Sequence, residues 1–320
     1  MRIVIVGAGL AGLACAEGLS GQGHDLTLID KGRGPGGRMS TRRIATPLGE
    51  AAFDHGAQYF TVRDGAFRAR VEAWIGLGCA APWPAAGQDA YVGVPAMNAP
   101  IRQMAAALPV RWGERVTEVA RLGDGWRVVT DQGATLEADA VVVALPAEQA
   151  ADLLAEAAPS LATRARAVPT APCWTAMLAF AEALPTPLDC LRGGAGEALG
   201  WAARNSGKPG RTGPEAWVLQ GAPDWSRDHL EADASFIIDA LTAELSARLG
   251  VSLPPPLTAA AHRWRYARSG TEGSDAIWDA DLRLGLCSDW LLGPRVEAAR
   301  LSGTALAGRI LGLGEGAPAP

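Results

Sequence analysis

The first thirty residues, MRIVIVGAGLAGLACAEGLSGQGHDLTLID, restrict the fold more than any other stretch of the chain. Arg2 to Val6 is a short β-branched apolar run, the pattern of a parallel strand buried on both faces. It breaks at Gly7-Ala8-Gly9-Leu10-Ala11-Gly12, and the Ala- and Leu-rich segment from about Leu10 to Gly21 predicts a helix. Asp25 to Ile29 predicts a second strand, ending at Asp30. Gly7 permits the tight turn off the strand, Gly9 leaves room for a pyrophosphate against the backbone, and Gly12 lets the helix lie close to the sheet. The free N–H groups and the dipole at the helix start attract a diphosphate. Asp30 falls 18 residues after Gly12, near the spacing at which a carboxylate accepts from ribose hydroxyls and repels a 2′-phosphate. A glycine fingerprint alone is weak evidence. Framed by strand, helix and acid, it predicts a dinucleotide site for FAD or NAD rather than NADP.

A chain of 320 residues allows one large or two modest domains with a sizeable core. Its net charge of −5 offers no evident basic face for a polyanion, which argues against nucleic acid. Only two of the 29 basic residues are lysines, Lys31 and Lys208, and the arginine and alanine excess reads as GC-rich coding. The five cysteines, Cys15, Cys79, Cys173, Cys190 and Cys287, are scattered without a C-x-x-C pair, the usage of reduced core thiols rather than disulfides or a metal site. No apolar run reaches the roughly 18–20 residues that span a bilayer. The apolar start is explained by the fingerprint rather than by a leader peptide. A cytoplasmic protein without nucleic-acid or membrane partners is the expectation.

After Asp30 comes KGRGPGGRMSTRR, a glycine-rich loop carrying Arg38, Arg42 and Arg43 beside the expected diphosphate. A simple NAD dehydrogenase needs no such second loop; FAD enzymes often have one. Next is FDHGAQYFT, Phe53 to Thr61, which mixes Asp54, His55, Gln58 and Tyr59 with aromatics in a way a plain strand rarely does. GAGLAGLACA, GPGGRMSTRR and FDHGAQYFT together resemble the renalase-like branch of the FAD-dependent amine oxidase superfamily, as in bacterial renalase-like NAD/FAD-dependent oxidoreductases. FDHGAQYFT is the specific element; the first two motifs occur in many FAD oxidoreductases.

Residues 64–78 read as an amphipathic helix, and 79–96, rich in Pro, Gly and Trp, as a loop near the substrate side. Asn98 to Leu108 predicts a short helix with Asn98 as N-cap and Pro100 in its first turn. A meander follows (Arg115 to Leu122, Trp126 to Thr130, Thr135 to Ala138), then a buried strand from Ala140 to Leu145. Residues 147–166 are alanine-rich and helical. From 173 to 265 the texture is that of an antiparallel sheet, with a helix at about Asp233 to Leu249 and a mobile loop at 205–214. In HRWRYARSG, His262, Trp264 and Tyr266 fall on one face of a strand. Leu282 to Ser288 predicts a strand with Asp289 at its carboxyl end, followed by a helix from about Val296 to Leu311.

The resemblance implies an α/β fold: a doubly wound Rossmann-like FAD-binding domain with a β-meander, plus an inserted substrate domain of mainly antiparallel sheet with helices. This is the two-lobe plan of amine oxidases and p-hydroxybenzoate hydroxylase. The expected boundaries are 1–63, 97–155 and 270–313 for the FAD domain, 64–96 and 156–269 for the substrate domain, and a disordered tail at 314–320. Noncovalent FAD is implied, since no cysteine stands where a flavin thioether is expected. Its implied contacts are Gly7, Gly9, Ala11, Gly12, Asp30, Lys31, Gly37, Arg38, Met39, His55, Gly56, Ala57, Gln58, Val116, Asp289, Val296 and Glu297. At the carboxyl end, the superfamily's Gly-Asp pair is Ser288-Asp289 here, and Glu297 is followed by Ala298 where glycine is common. Gln58, Tyr59, His262, Trp264 and Tyr266 are the candidates for the substrate pocket, with no side chain assigned as strictly catalytic.

Renalase-type oxidation of misreduced NAD(P)H isomers, with dioxygen as acceptor and hydrogen peroxide as product, is the implied reaction. A dihydropyridine donates hydride without a base, so the protein need only stack, orient and exclude water. The alternatives are a flavin amine oxidase, disfavoured because neither lysine looks well placed, and a flavin redox sensor or electron carrier. An NAD-linked dehydrogenase without flavin is a further reading, and it predicts a colourless protein.

Overall fold

The opening strand β1 (Arg2–Val6) lies at the centre of a six-stranded sheet in the computed structural model, which describes residues 1–194 and 196–313. Its two faces enter two different cores. Ile3 and Ile5 pack with Leu13 and Cys15 of helix α1 (Leu10–Leu19), while Val4 and Val6 pack with Val141, Val143, Ala147 and Leu154. Burial on both sides explains why the strand carries no polar alternation. On one side β1 pairs in parallel with β2 (Asp25–Asp30), which pairs in parallel with Val110–Trp112. On the other side it pairs in parallel with Ala140–Val143, then Leu284–Leu286, with Ile277–Asp279 antiparallel at the edge. The order reverses at β1, so a crevice opens at the carboxyl ends of β1 and Ala140–Val143, the place where doubly wound sheets bind ligands.

The two ends of the chain meet on this sheet. Helix Val296–Ile310 packs on α1 so tightly that a Cβ on Gly303 would lie 2.1 Å from the Ala11 carbonyl oxygen. The expected meander is present as Val116–Leu122, Gly125–Thr130 and Thr135–Ala138.

The second sheet is five-stranded and antiparallel, in the order Cys190–Arg192, Leu199–Arg204, Glu215–Gly221, Thr170–Phe180, Thr258–Ser269. Alternation divides its residues cleanly. Trp174, Ala176, Leu178, Phe180, Trp217 and Leu219 face helix Ala234–Leu249 through Ile237, Leu241 and Leu245. Met177, Ala179, Ala216 and Val218 face the other way, onto Ala51 and Phe53 of the hairpin Thr41–Thr46/Gly49–Asp54.

Three local expectations change. The stretch 79–96 is not one loop: Ala80–Pro82 and Ala90–Gly93 pair with each other and with Phe60–Thr61 in a small sheet. The apolar alternation there was masked by proline and tryptophan. Asn98 precedes helix Ala99–Ala105 but does not cap it with its side chain, whose Nδ2 donates to the Pro35 carbonyl at 3.1 Å. The stretch 205–214 is ordered: Asn205–Gly207 forms a 3-10 turn, and Lys208 is buried. Asn205 ties that turn across the molecule, donating to the Ala52 carbonyl at 2.8 Å and accepting from the Asp54 amide at 3.3 Å. The expected tail at 314–320 lies outside the described residues.

Candidate functional site

The fingerprint folds as a ligand cradle. Gly7 has φ +102°, and a Cβ on Gly12 would sit 2.0 Å from the Gly7 carbonyl oxygen, so neither position accepts a larger residue without movement. A Cβ on Gly9 would meet nothing within 4 Å, because Gly9 faces open space. Asp30 closes the loop: its Oδ2 accepts from the Ala8 amide and its Oδ1 from the Gly32 amide, each at 2.7 Å. Each carboxylate oxygen retains a lone pair for a ligand hydroxyl. Lys31 at the exposed end of β2 donates to Gln149 at 3.4 Å, and Val116 opens the meander beside Ile29.

A cavity of about 430 Å³ lies between this cradle and the five-stranded sheet. Its floor includes Gly9, Ala11, Arg38, Met39 and Asp289, and its side wall includes Gly56, Ala57, Gln58, Tyr59 and Val296. Its roof is the inner face of the second sheet, with Cys173, Trp201, Gln220 and Trp264. Arg38 and Asp289 form a two-pronged ion pair at 2.8 and 2.6 Å, joining the glycine-rich loop to the C-terminal segment across 251 residues. Gly37 sits against Gly9, where a Cβ would come 3.7 Å from the Gly9 Cα. Gly56 permits an approach as close as that at Gly12: a Cβ there would lie 2.0 Å from the Arg38 carbonyl oxygen and 3.5 Å from the Trp264 ring.

The other named residues are placed differently. Glu297 is buried, and its Oε1 accepts from the Arg63 and Asp64 amides at 2.6 and 2.8 Å, so its carboxylate anchors the start of helix Gly65–Gly76. His55 and His262 do not line this cavity. They face a second, more open one of about 670 Å³, and Arg42, expected beside the diphosphate, lines that cavity as well and not the chamber. Tyr266 lines neither, because the register of its strand shifts opposite Ala171 to Cys173, breaking the alternation and bringing Ala267 and Arg268 to the chamber instead. His55, His262 and Trp264 form a ring cluster on the wall between the cavities. His55 stacks on Trp264 at 5.1 Å, and the Trp264 Nε1 donates to the His55 carbonyl at 2.8 Å. Burial, then His262 and Arg42, push His55 down to about 4, and burial with Arg42 also lowers His262, so both rings are neutral at pH 7.

The sequence reading missed the group beneath Gln58. Asp54 is fully buried and accepts at Oδ2 from Lys208 Nζ at 3.1 Å and Arg211 Nη2 at 2.5 Å. Its Oδ1 accepts from the Thr41 hydroxyl at 2.7 Å and the Met97 amide at 3.0 Å. Burial alone would raise this carboxyl, but the two cations and these hydrogen bonds outweigh it and hold Asp54 well below the ordinary carboxylate range. Burial pulls Lys208 down to about 8 despite Asp54. Lys208 also lies 3.4 Å from Gln58 Oε1 and 5.3 Å from the centre of the Trp83 ring. The amide of Gln58 donates to the carbonyls of Asp54 and Gly56, which fixes its orientation toward the chamber. Two signals could have revealed the cluster: an aspartate closing an apolar strand, and a lysine kept in a chain that otherwise uses arginine.

Among the described residues, four arginines line the chamber (Arg38, Arg192, Arg268 and Arg295) against one carboxylate, Asp289; Arg38 neutralises Asp289, and Arg295 pairs with Glu297 behind the wall at 3.3 Å. Arg192 donates to the Tyr59 hydroxyl at 2.8 Å and lies over the Trp201 ring. Burial pushes the Cys173 thiol up to about 11, so it stays protonated.

Comparisons with known proteins agree with this geometry. Residues 83–311 match a family model described as flavin containing amine oxidoreductase, and residues 5–72 match one described as an NAD(P)-binding Rossmann-like domain. Hydroxyneurosporene desaturase of Rubrivivax gelatinosus is 45% identical over 62 residues, 19% of this chain and 11% of that protein. The L-amino-acid oxidase of Pseudechis australis is 50% identical over 42 residues, 13% of this chain and 8% of that protein. These matches thus span 11% or less of either relative's length. Among solved structures, a protein described as a protoporphyrinogen oxidase from Exiguobacterium sp. 255-15 has TM-score 0.75 and 16% identity, over 97% of this chain and 98% of that one. Cyclohexylamine oxidase from Brevibacterium oxydans IH-35A has TM-score 0.70 and 13% identity, over 97% and 98%. At such identities the likeness is one of fold. No helix among the described residues is long and apolar enough to cross a membrane.

Proposed function

The chain belongs to the flavin-containing amine oxidoreductase family, which makes it a flavin-dependent oxidoreductase, and from that premise we propose that it is an FAD-dependent oxidase of renalase type. Its substrates are misreduced 2- or 6-dihydro isomers of NAD(P), its acceptor is dioxygen, and its products are NAD(P)+ and hydrogen peroxide. It works in the cytoplasm on a small molecule, without nucleic acid or membrane. FAD is held noncovalently, with Asp30 and Val116 on the adenosine side, Gly9 and the start of α1 at the diphosphate, and Arg38, Met39, Asp289 and Val296 toward the ring. The flavin supplies the two-electron acceptor that dioxygen restores.

The observation that carries this reading is the sign of the chamber. Arg295 is paired with Glu297 at 3.3 Å, but Arg192 and Arg268 have no carboxylate partner among the described ion pairs, and they would repel an ammonium substrate and attract a phosphate-bearing one. Among the described residues no histidine or lysine lines the chamber and its one carboxylate is tied to Arg38, so they offer no free base to deprotonate an amine. A dihydropyridine needs none. The flat faces of Trp201 and Trp264 stack and orient the substrate ring, and Gln58 offers it a fixed amide.

Amine oxidation is the second reading, favoured by Lys208, a buried cation 3.4 Å behind Gln58 and poised to lose its proton near neutral pH. One experiment separates the two. Anaerobic mixing of the purified yellow protein with each dihydronicotinamide isomer should bleach the flavin within seconds, and admitting air should restore the colour with peroxide released. Fast bleaching by an amine but by neither isomer would overturn the proposal.

A further inference from the structure

The second cavity shares no lining residue with the chamber and has a character of its own. Arg33, Arg42 and Arg102 reach it from three elements: the glycine-rich loop, the Thr41–Thr46 strand and helix Ala99–Ala105. Among the described residues no aspartate or glutamate lines it, and none of these arginines has a carboxylate partner among the described ion pairs, although the chain as a whole is acidic. Three guanidinium groups around one opening make it positive and attract an anion.

Two buried polar atoms at the same place also lack partners. His55 and Asn98 are each 8% exposed and both line the cavity. His55 Nδ1 and Asn98 Oδ1 make no hydrogen bond, although Asn98 Nδ2 is engaged by Pro35. Buried donors and acceptors are rarely left so, and their loss of hydration is recovered when a ligand supplies partners. A phosphate suits the arginines, a sugar hydroxyl suits the Asn98 oxygen, and the half-buried indole of Trp112 on the rim offers a face to a planar ring.

We propose that this arginine-lined cavity is a second ligand site, for a nucleotide whose phosphates meet Arg33, Arg42 and Arg102. It is separate from the FAD crevice and from the substrate chamber, and it does not depend on which substrate the flavin oxidises.

The test is calorimetric titration of ADP into the full-length protein saturated with FAD, so that the fingerprint crevice is filled. Adenosine and inorganic pyrophosphate serve as the partial probes, and flavin uptake is measured separately by absorbance. ADP should bind, adenosine should bind at least about tenfold more weakly, and affinity should fall as salt is raised. Arg42→Glu and Arg102→Glu, both at exposed side chains, should each weaken ADP by about tenfold or more, the worth of one charge-assisted hydrogen bond, with the flavin spectrum unchanged. Pyrophosphate should bind more weakly than ADP yet respond to the same two substitutions. The proposal is overturned if ADP fails to bind at millimolar concentration, if adenosine binds as well as ADP, or if the variants bind ADP like the wild type. It is overturned equally if ADP is displaced by a dihydronicotinamide substrate while ignoring Arg102.

Discussion

Asp30 and Asp54 each end a strand, and the molecule holds them in opposite ways. Asp30 is half-buried and accepts from two backbone amides of its own βαβ unit, Ala8 and Gly32. Its remaining lone pairs face a crevice. Asp54 is fully buried, and its partners include Lys208 and Arg211, 154 and 157 residues further along. All its acceptor capacity is taken up inside the protein. The first arrangement keeps a charge available for a ligand while costing the fold little. The second clamps the Gly49–Asp54 strand to the turn that precedes Glu215–Gly221, and so locks one lobe against the other.

The largest expected effect comes from cutting that clamp. Asp54→Ala would leave Lys208 and Arg211 buried without their counter-charge, and breaking a buried pair in this way costs about 3–5 kcal/mol. Denaturant unfolding should show the loss, and Lys208→Met, which leaves Arg211 on Asp54, should lose distinctly less. Equal stability of Asp54→Ala and wild type would remove the contrast between the two acids. Next in size is Gly12→Val. A Cβ there collides with the Gly7 carbonyl, so α1 must shift from β1 at a cost of about 1–3 kcal/mol, and bound flavin should fall with it. Full flavin content with a normal melting temperature would show that the close helix–sheet contact is dispensable.

The same contrast explains what could be read in advance. The fingerprint, Asp30 and the strands beside them follow from residues within one unit, where spacing and backbone geometry are enough. The second sheet was also legible as alternating strands between Pro/Gly turns. What was not legible depends on contacts made across the chain. Lys208 lies in NSGKPGRTGP, whose composition predicts a mobile loop, and only its pairing with Asp54 makes it a core residue. Tyr266 falls on the same face as His262 and Trp264 by strict alternation, and a register shift removes it. His262 shares the face of its strand with Trp264 yet lines the second cavity, because the packing of the aromatic cluster, not the strand alone, sets where the cavity walls fall.

An acid titration sharpens the comparison further. His55, beside the clamp, is pushed from 6.5 down to about 4, chiefly by burial. The unfolded chain therefore binds a proton there below about pH 6.5 while the folded protein does not, so stability must fall as pH drops through this window. The Asp54 contribution goes only at lower pH, as the unfolded carboxyl begins to bind protons near 4. Unfolding measured at pH 7.5 and pH 5 should show a loss of about 1–2 kcal/mol, and His55→Gln should shrink that difference. An undiminished difference in the variant would assign the acid sensitivity elsewhere.

The smallest effect on stability, and the most discriminating, is expected from Asp30→Asn. The side chain keeps its shape and one acceptor oxygen, so one of the amides at Ala8 and Gly32 loses its partner, at a cost of about 1 kcal/mol. Removing the charge should nonetheless weaken the grip on a ribose diol, because a neutral amide accepts more weakly and turns an N–H toward the hydroxyls. The variant should therefore fold nearly as well as wild type yet emerge from purification with much less flavin. Asp54→Ala reverses the pattern, losing stability first and flavin only as a consequence. Measuring flavin absorbance and unfolding on both proteins separates a carboxylate placed for a ligand from one placed for the fold. If Asp30→Asn retained its full complement of flavin, the crevice at the end of β2 would not be where the cofactor's ribose is held.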